Sequence, residues 1–288
     1  MDDSTYIHGD KDPIVLSQKL TQQYEEISNY MSSNKLVING DKTHLMLLAT
    51  GKAWRTKLSD DSLTLDTGQE IISTSRTETL LGGLIHQNLK WTEHILLNED
   101  SLIKKLGTRL NALKQIGKYA DFQTRKMFAN GLFMSKLIYL IPLWGGCEKF
   151  LIRALQVVQN KAARVVTKLG LFTPVKTLLR QCGWLSVHQL VFFHTVVLMY
   201  KTLEKKSPEY LFRMAGPEYN YKTRAKDAGK LRQVQEYKVE NELNYKSYRW
   251  RSIRSWNQLP RDITSITSIN EFKFKLKAWV MENIDIYP

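Results

Sequence analysis

Cysteine is scarce in this chain, whose 288 residues include only Cys147 and Cys182. Two cysteines exclude the disulfide framework on which many small secreted proteins depend. The acidic N-terminus also shows no signal-peptide pattern of basic residues followed by an apolar segment. We therefore expect an intracellular protein in a reducing compartment, either the nucleus or the cytoplasm.

Several motifs of enzymes and metal sites are also missing. The sequence has no Walker phosphate-binding loop, no Gly-x-Ser-x-Gly nucleophile turn and no zinc knuckle. None of the six histidines is spaced from either cysteine as metal ligands are. No internal repeat or low-complexity tract stands out. These absences argue against P-loop, serine-hydrolase and zinc-dependent chemistry, and we expect no small-molecule substrate pocket.

The sequence has one long uncharged run. Residues 181–200 contain no charged side chain, and a run of this length can cross a bilayer. The run also contains Gly183, Gln189, His188 and His194. Polar and flexible residues of this kind favour a helix buried in a protein core, so we expect no membrane partner.

Charge is distributed unevenly along the chain, whose formal net charge is +14. Residues 1–90 carry 9 Lys and Arg against 12 Asp and Glu, whereas residues 91–288 carry 33 against 16, a net charge of +17. A strongly basic module usually binds an anionic polymer, although basic charge can also serve only to keep a protein in solution. An excess of this size favours a nucleic-acid partner for the second part.

A helix is predicted near the N-terminus. Asp12 suits the N-cap position, and Pro13 suits the first helical position, where its missing N–H costs nothing. Apolar residues then recur at steps of three and four up to the expected end near Ser33, so the helix has one apolar face. The members of this face are Leu16, Leu20, Tyr24, Ile27 and Met31.

Short turn sequences mark the extended segments that follow. A hairpin is predicted around Asn39-Gly40, since both residues accept a positive φ. A second hairpin is predicted around Thr67-Gly68, and a further short extended segment contains Gly82-Gly83. The predicted strands are residues 36–38, 44–48, 63–66, 69–72 and 79–86.

From Trp91 onward the apolar period becomes helical. Asp121 is expected to cap one helix, which Pro142 and Gly145-Gly146 then break. Further helices are predicted over residues 148–168 and 185–203, with a short one starting at Thr173-Pro174 and a last one near the C-terminus. Their apolar positions include Ile103, Leu106, Leu110, Leu113, Phe128, Phe133, Leu137, Leu151, Leu155, Val158, Ala162, Val165, Phe272, Leu276 and Trp279.

The helix predicted over residues 148–168 has a polar stripe opposite its apolar face. The stripe consists of Lys149, Arg153, Gln156, Asn160, Arg164 and Lys168. Such a stripe can be no more than a solvated face, but a row of cations can also follow the phosphates of a nucleic acid. We take its four basic members as candidate nucleic-acid contacts.

Basic and aromatic residues are interleaved in the C-terminal region. Residues 219–261 include 11 Lys and Arg, 4 Asp and Glu, 5 Tyr and 2 Trp. This composition suits a single strand, because cations contact phosphates and rings stack on bases. We expect Arg249, Arg251 and Arg254 to face solvent or phosphate, and Trp256 to pack in the core.

These patterns predict an α+β protein, with one helix and short strands in front and a mainly helical part behind. We divide the chain into residues 1–90, residues 91–215 and the basic, aromatic-rich residues 216–288. The first part holds the predicted strands, and the second holds most of the predicted helices.

Several segments carry a family resemblance through their order. The chain opens with Met1-Asp2-Asp3, continues through the predicted helix, and reaches Asn34-Lys35-Leu36 and Asp41-Lys42-Thr43. Leu81-Gly82-Gly83-Leu84-Ile85, Trp144-Gly145-Gly146, Gln159-Asn160-Lys161-Ala162-Ala163-Arg164 and Ser255-Trp256-Asn257-Gln258-Leu259-Pro260 follow. In this order the segments resemble the second half of a reverse transcriptase from non-LTR (jockey-like, LINE-like) retrotransposons. The resemblance covers essentially the whole chain.

The resemblance implies a truncated antiparallel palm sheet over residues 1–90, followed by a helical thumb and a C-terminal region. It implies an RNA-directed DNA polymerase, a nucleotidyltransferase that uses an RNA template, a DNA primer and two Mg²⁺ ions. The residue roles that it implies are metal-ligating catalytic carboxylates at Asp2 and Asp3, a proton donor at Lys42, and a primer grip at Leu81, Gly82 and Gly83.

The resemblance also implies that the chain starts one residue inside its catalytic motif, so that a third carboxylate and the fingers would precede Met1. Mg²⁺ binding and polymerisation are therefore expected of the intact enzyme and not of this chain alone. Three interpretations stay open. They are a retrotransposon polymerase fragment, a retained non-catalytic RNA- or DNA-binding protein of retroelement origin, and a degenerate reading frame without a selected role.

Overall fold

The protein is a mixed α+β chain, about 63% helical, with one three-stranded and one two-stranded sheet. It divides into two compact units, Met1–Glu93 and His94–Pro288. The computed structural model describes residues 4–48, 64–68, 71–215 and 242–287.

The first unit contains one long helix, α1 (Pro13–Ser33), with the bounds that the sequence predicts. A carboxylate oxygen of Asp12 accepts a hydrogen bond from the backbone N–H of Ile14 at 2.9 Å, which satisfies one of the free N–H groups at the helix start. Leu16 packs in a small core with Leu45 and Leu65. The predicted N-cap and the start of the apolar face are therefore confirmed.

Beside this helix lies a three-stranded sheet of β1 (Leu45–Met46), β2 (Thr64–Asp66) and β3 (Ile71–Ser75), in the order β1-β3-β2. Strands β2 and β3 pair antiparallel, and Gly68 in the turn has φ +77°, so the hairpin predicted around Thr67-Gly68 is confirmed. Strand β1 pairs parallel with β3. The prediction of a wholly antiparallel sheet is therefore wrong, because β1 and β3 run in the same direction.

The hairpin predicted around Asn39-Gly40 does not form. Residues Gly40–Lys42 make a single 3₁₀ turn, in which the Asn39 carbonyl accepts hydrogen bonds from Lys42 N at 3.2 Å and Thr43 Oγ1 at 2.9 Å. Residues 36–38 belong to no strand, and Val37 is exposed. The Asn39 carbonyl is occupied within its own 3₁₀ turn, so it is not paired with a neighbouring strand.

A second hairpin is formed by β4 (Thr77–Leu80) and β5 (Gly83–His86). Its turn residues, Leu81 and Gly82, have φ angles of +48° and +76°. Two successive positive φ angles match the right-handed twist of the flanking strands. The prediction of one extended segment over residues 79–86 is therefore correct only in part, because the segment is folded into a hairpin at Leu81-Gly82.

The second unit is helical in its described part. A π-helical turn, Glu93–Leu97, lies at the boundary between the units, and another, Ala129–Met134, joins two of the helices. The helices in chain order are α2 (Leu102–Gly117), α3 (Phe122–Phe128), α4 (Ser135–Ile138), α5 (Ile141–Trp144), α6 (Lys149–Thr167), α7 (Val175–Cys182), α8 (Val187–Leu203), α9 (Glu209–Ala215), α10 (Glu242–Lys246), α11 (Tyr248–Asn257), α12 (Arg261–Thr264) and α13 (Ile269–Asn283).

Helix α8 is the centre of this unit, because α5, α6, α9, α11 and α13 all pack against it. Its buried Tyr200 stacks on Phe272 of α13 with ring centroids 4.2 Å apart, and buried Trp256 of α11 lies beside both rings. The predictions of a buried α8 and a core Trp256 are therefore confirmed. No single described helix is long and apolar enough to cross a membrane, although α7 and α8, with a 45° bend between them, meet that length and composition test as a pair.

The helical run is first interrupted at Leu140, whose φ is +57°, and the Trp144-Gly145-Gly146 segment at the end of α5 is closely packed. Buried Trp144 donates its indole N–H to the Tyr139 carbonyl at 2.9 Å. A Cβ atom on Gly146 would lie 2.0 Å from the Lys246 carbonyl oxygen, and one on Gly145 would lie 2.6 Å from a methyl group of Val191. Both glycines are needed because α8 and the segment carrying α10 approach the backbone closely.

We expect Gly146→Ala to destabilise the second unit by about 1–3 kcal/mol, because the new methyl group displaces a backbone carbonyl. The matched control is Gly107→Ala in α2, where a Cβ meets nothing within 4 Å. That change should stabilise the protein by about 0.5–1 kcal/mol, because alanine favours a helix over glycine. Urea unfolding followed by tryptophan fluorescence measures both, and equal midpoints for the two variants would contradict the packing account.

Candidate nucleic-acid interface

Helix α6 is held by the core along one side. Glu148 is its N-cap, and Lys168, with φ +57°, is its C-cap, as expected for a helix over residues 148–168. Its apolar buried residues recur at steps of three and four, which places them on one face. They are Leu151, Ile152, Leu155, Ala162, Ala163 and Val166.

Three amide side chains of α6 are buried beside these apolar residues. The Gln156 amide nitrogen donates to the oxygens of Gln159 and Asn160, both at 2.8 Å, and its own oxygen accepts from Val187 N at 2.8 Å. The Gln159 amide nitrogen donates to the Leu185 carbonyl at 2.9 Å. These bonds join α6 to the start of α8, and we call Gln156, Gln159 and Asn160 the amide cluster.

The amide cluster corrects the predicted polar stripe. Gln156 is 1% exposed and Asn160 is 9% exposed, so neither lies on a solvated face. Their polarity suggested exposure, but buried amides are stable where hydrogen-bond partners satisfy them. The exposed face of α6 is therefore rotated away from these two residues and toward Val157 and Lys161, which are exposed.

The exposed face of α6 is basic. Its cations lie within a sector of about 120° around the helix axis and extend over about 28 Å. Four of them are fully on the surface and Arg164 is half-buried. We call this set the α6 basic face, and its members are Lys149, Arg153, Lys161, Arg164 and Lys168.

Acidic residues are missing around this face. Residues 149–203 contain eight Lys and Arg but no Asp or Glu. Helix α7 packs against α6 and adds the exposed side chains of Lys176 and Arg180. Lys161, Lys176 and Arg180 were not among the residues predicted to contact nucleic acid. The acid-free run and the position of Lys161 opposite the apolar face are the signals that would have identified them.

Arg164 is partly committed to the fold. Its Nη2 donates to the Leu171 carbonyl at 3.2 Å. Its Nε is buried and has no hydrogen-bond partner among the described residues. Arg164 and Lys168 both lie at the C-terminal end of α6, where a positive charge interacts favourably with the helix dipole. Arg153 and Lys161 make no such contact with the described residues and are therefore the cleaner probes of binding.

Arg251 was predicted to face solvent or phosphate, but its guanidinium donates hydrogen bonds to other parts of the protein. Its guanidinium donates to the carbonyls of Pro142 at 2.6 Å and Lys246 at 3.1 Å, and to Thr195 Oγ1 at 3.4 Å. Burial lowers the pKa of Arg251 to about 10, which still leaves it protonated at neutral pH. Arg251 thus ties α11 to α5 and α8, and we do not include it in the interface.

The other two arginines predicted for this region lie on the surface of α11. Arg249 and Arg254 are exposed. The guanidinium of Arg254 lies 4.9 Å from the ring centroid of Trp250, a cation–π distance. Both stay candidates for phosphate contact, separate from the α6 basic face.

The candidate residues of the first unit lie on separate segments. Asp2 and Asp3 fall outside the described residues. Lys42 is exposed at the end of its 3₁₀ turn. In the β4–β5 hairpin, Leu81 and Gly82 are exposed at the turn, whereas Gly83 is buried at the start of β5.

Two partly buried histidines add no positive charge to the second unit near neutral pH. Burial, followed by the charges of Lys136 and Lys105, lowers the pKa of His94 to about 4. Burial and Lys273 do the same for His194. Neither imidazole therefore adds positive charge near neutral pH. Among the described residues, no group of three His, Cys, Asp or Glu side chains could hold a metal ion.

Comparison with protein-family models, with curated proteins and with solved structures finds no match for this chain. The function is therefore inferred from the structure of the second unit, above all from the α6 basic face.

We expect Gln159→Leu to destabilise the second unit by about 1–3 kcal/mol, because it removes the donor to the buried Leu185 carbonyl. The control is Gln115→Leu on the exposed side of α2, which should change stability by less than about 0.5 kcal/mol. Urea unfolding measures both. A Gln159→Leu protein as stable as the control would show that the amide cluster does not fix α6.

Proposed function

We propose that the second unit binds RNA or DNA through the phosphate backbone, with the α6 basic face as its main contact. The observation that carries the proposal is this line of five cations within residues 149–203, a stretch with no Asp or Glu. Lysine and arginine side chains in a row provide affinity by displacing the counterions condensed on the polyanion. Such contacts are independent of base sequence.

The electrostatic state of the face supports this proposal. No described carboxylate lies within ion-pair distance of the five cations. Glu148 is the nearest acidic residue in sequence, and it pairs with Lys246 at 3.2 Å. The five charges are therefore not neutralised by the described part of the chain, and a phosphate backbone is a partner of suitable charge and length.

We also propose that the chain corresponds to part of a non-LTR retrotransposon reverse transcriptase, with a partial palm in the first unit and the thumb and C-terminal region in the second. The order of its motifs supports this origin, and a helix with short strands followed by a helical unit is the arrangement it requires. On this proposal Mg²⁺, RNA template and DNA primer are bound by the intact polymerase. Asp2 and Asp3 would supply two of its carboxylates, Lys42 a proton, and Leu81, Gly82 and Gly83 the primer grip.

The second candidate is a non-catalytic RNA- or DNA-binding protein of retroelement origin. The α6 basic face favours it, because phosphate binding there requires only Lys and Arg of the second unit. Asp2, Asp3 and Lys42 have no part in such binding. The two candidates share the interface and differ in whether nucleotidyl transfer occurs.

The double charge reversal Arg153→Glu/Lys161→Glu tests the interface. Each lost phosphate contact should lower the steepness of log K against log salt concentration by about 1, so the pair should lower it by about 2. Affinity for RNA and DNA of unrelated sequences should fall by similar factors. Filter binding or fluorescence anisotropy between 50 and 200 mM salt measures both quantities.

The matched control is Lys11→Glu/Lys35→Glu, two exposed lysines of the first unit whose reversal changes the net charge by the same amount. In this control the slope of log K against log salt concentration should differ from the wild-type slope by less than about 1. Equal losses in the two double variants would mean that net charge alone drives binding. Salt-independent binding of the wild type would contradict the phosphate contact itself.

We expect this chain to bind a primer–template without extending the primer. The 288-residue chain with Mg²⁺ should not extend a DNA primer on an RNA template, because two-metal transfer needs a complete carboxylate cage. The variant Asp2→Asn/Asp3→Asn should bind the same primer–template as tightly as the wild type. Mg²⁺-dependent extension that disappears in this variant would show that the chain is itself an active polymerase.

A further inference from the structure

The turn between α6 and α7 presents an aromatic ring to solvent. Phe172 is the most exposed of the large hydrophobic side chains in the described residues, and its neighbour Leu171 is also mostly exposed. A phenylalanine in water forgoes a large hydrophobic gain that a covering partner would supply. A single exposed ring is common on protein surfaces, so its meaning depends on how it is held and on what surrounds it.

Phe172 is held by a defined turn. The backbone N–H of Thr173 donates to the Gly170 carbonyl at 3.2 Å and closes the turn around the ring. Arg164 of the α6 basic face holds the Leu171 carbonyl at 3.2 Å, and Pro174 follows as the N-cap of α7. The turn therefore fixes the backbone that carries Phe172 just beyond the C-terminal end of α6.

The charges that flank the ring in the sequence favour an anionic partner. Lys168 lies four residues before Phe172 and Lys176 four residues after it, and both side chains are exposed. Apolar side chains also stand singly among the cations along α6, since Phe150 and Val157 are exposed. Exposed apolar side chains interspersed with cations suit a single strand, whose bases are apolar on their faces and whose phosphates are charged.

We propose that Phe172 is a stacking site for an unpaired nucleotide base, with Lys168 and Lys176 on the adjacent phosphates. The inference rests on the proposed nucleic-acid binding and adds a preference for single strands. In a duplex the base faces are already stacked on each other, so the ring has no face to cover. An anionic membrane is the less suitable partner, because Phe150 and Val157 stand singly among the cations of α6 and do not form the continuous apolar face that membrane-surface helices bury.

The test uses the full chain with a 12-nucleotide RNA that carries 2-aminopurine at one position, as a single strand and as a duplex. Phe172→Ala should lower the single-strand affinity about five- to hundredfold, the range measured for losing one stacked base. It should leave the duplex affinity unchanged. Quenching of 2-aminopurine on binding should be lost in Phe172→Ala and restored in Phe172→Trp.

Phe274→Ala is the matched control, because Phe274 is a second highly exposed phenylalanine, on α13, and its loss should change neither affinity. If Phe172→Ala changes nothing while Arg153→Glu/Lys161→Glu still weakens binding, the stacking site is refuted and the phosphate interface stands. Equal losses on single strand and duplex also refute stacking. If the wild type binds neither RNA, the proposed function itself fails. Phe172-dependent binding to phosphatidylserine vesicles, with oligonucleotide affinity unaffected, would assign the ring to a membrane.

Discussion

The burial of Gln156, Gln159 and Asn160 is the constraint on which the second unit depends. An amide in the core is costly unless its hydrogen bonds are made, and here the partners come from the start of α8. Because these partners are fixed in direction, α6 can take only one rotation against α8. The same rotation determines which side chains of α6 face solvent.

The functional surface follows from that rotation. With the amide cluster inside, Lys149, Arg153 and Lys161 are outside, and Arg164 and Lys168 complete the line at the helix end. Five like charges along one face repel one another, but water and salt reduce the repulsion at an exposed surface. A bound polyanion would replace that repulsion with attraction. The core of α6 and its charged face are therefore two consequences of one packing arrangement.

Local signals in the sequence predict the fold well where the structure depends on neighbours along the chain. Asp12 caps α1, Asp121 caps α3 and Thr67-Gly68 turns a hairpin, each through hydrogen bonds or backbone angles within a few residues. One local signal fails, because residues Gly40–Lys42 form a 3₁₀ turn where a hairpin was predicted. The other errors occur where contacts with distant segments determine the structure. Gln156 is buried only because Val187, far along the chain, presents its N–H.

The same distinction applies to the candidate site. Basic composition predicts a cationic second unit, but not which cations are free to bind. Arg251 appears in the sequence as one more arginine among aromatics, and only the carbonyls of Pro142 and Lys246 turn it inward. Lys161 appears as part of a mixed segment, and only the buried amides beside it place it at the centre of the exposed line.

Lysine footprinting tests the central claim most directly. The full chain would be acetylated briefly with and without a single-stranded RNA, and the modified lysines counted by mass spectrometry. The account predicts strong protection of Lys149, Lys161 and Lys168 by RNA, with Lys114 of α2 and Lys118 at its C-cap reacting as before. Protection of the α2 lysines with none on α6 would contradict it, because the nucleic acid would then occupy a different surface.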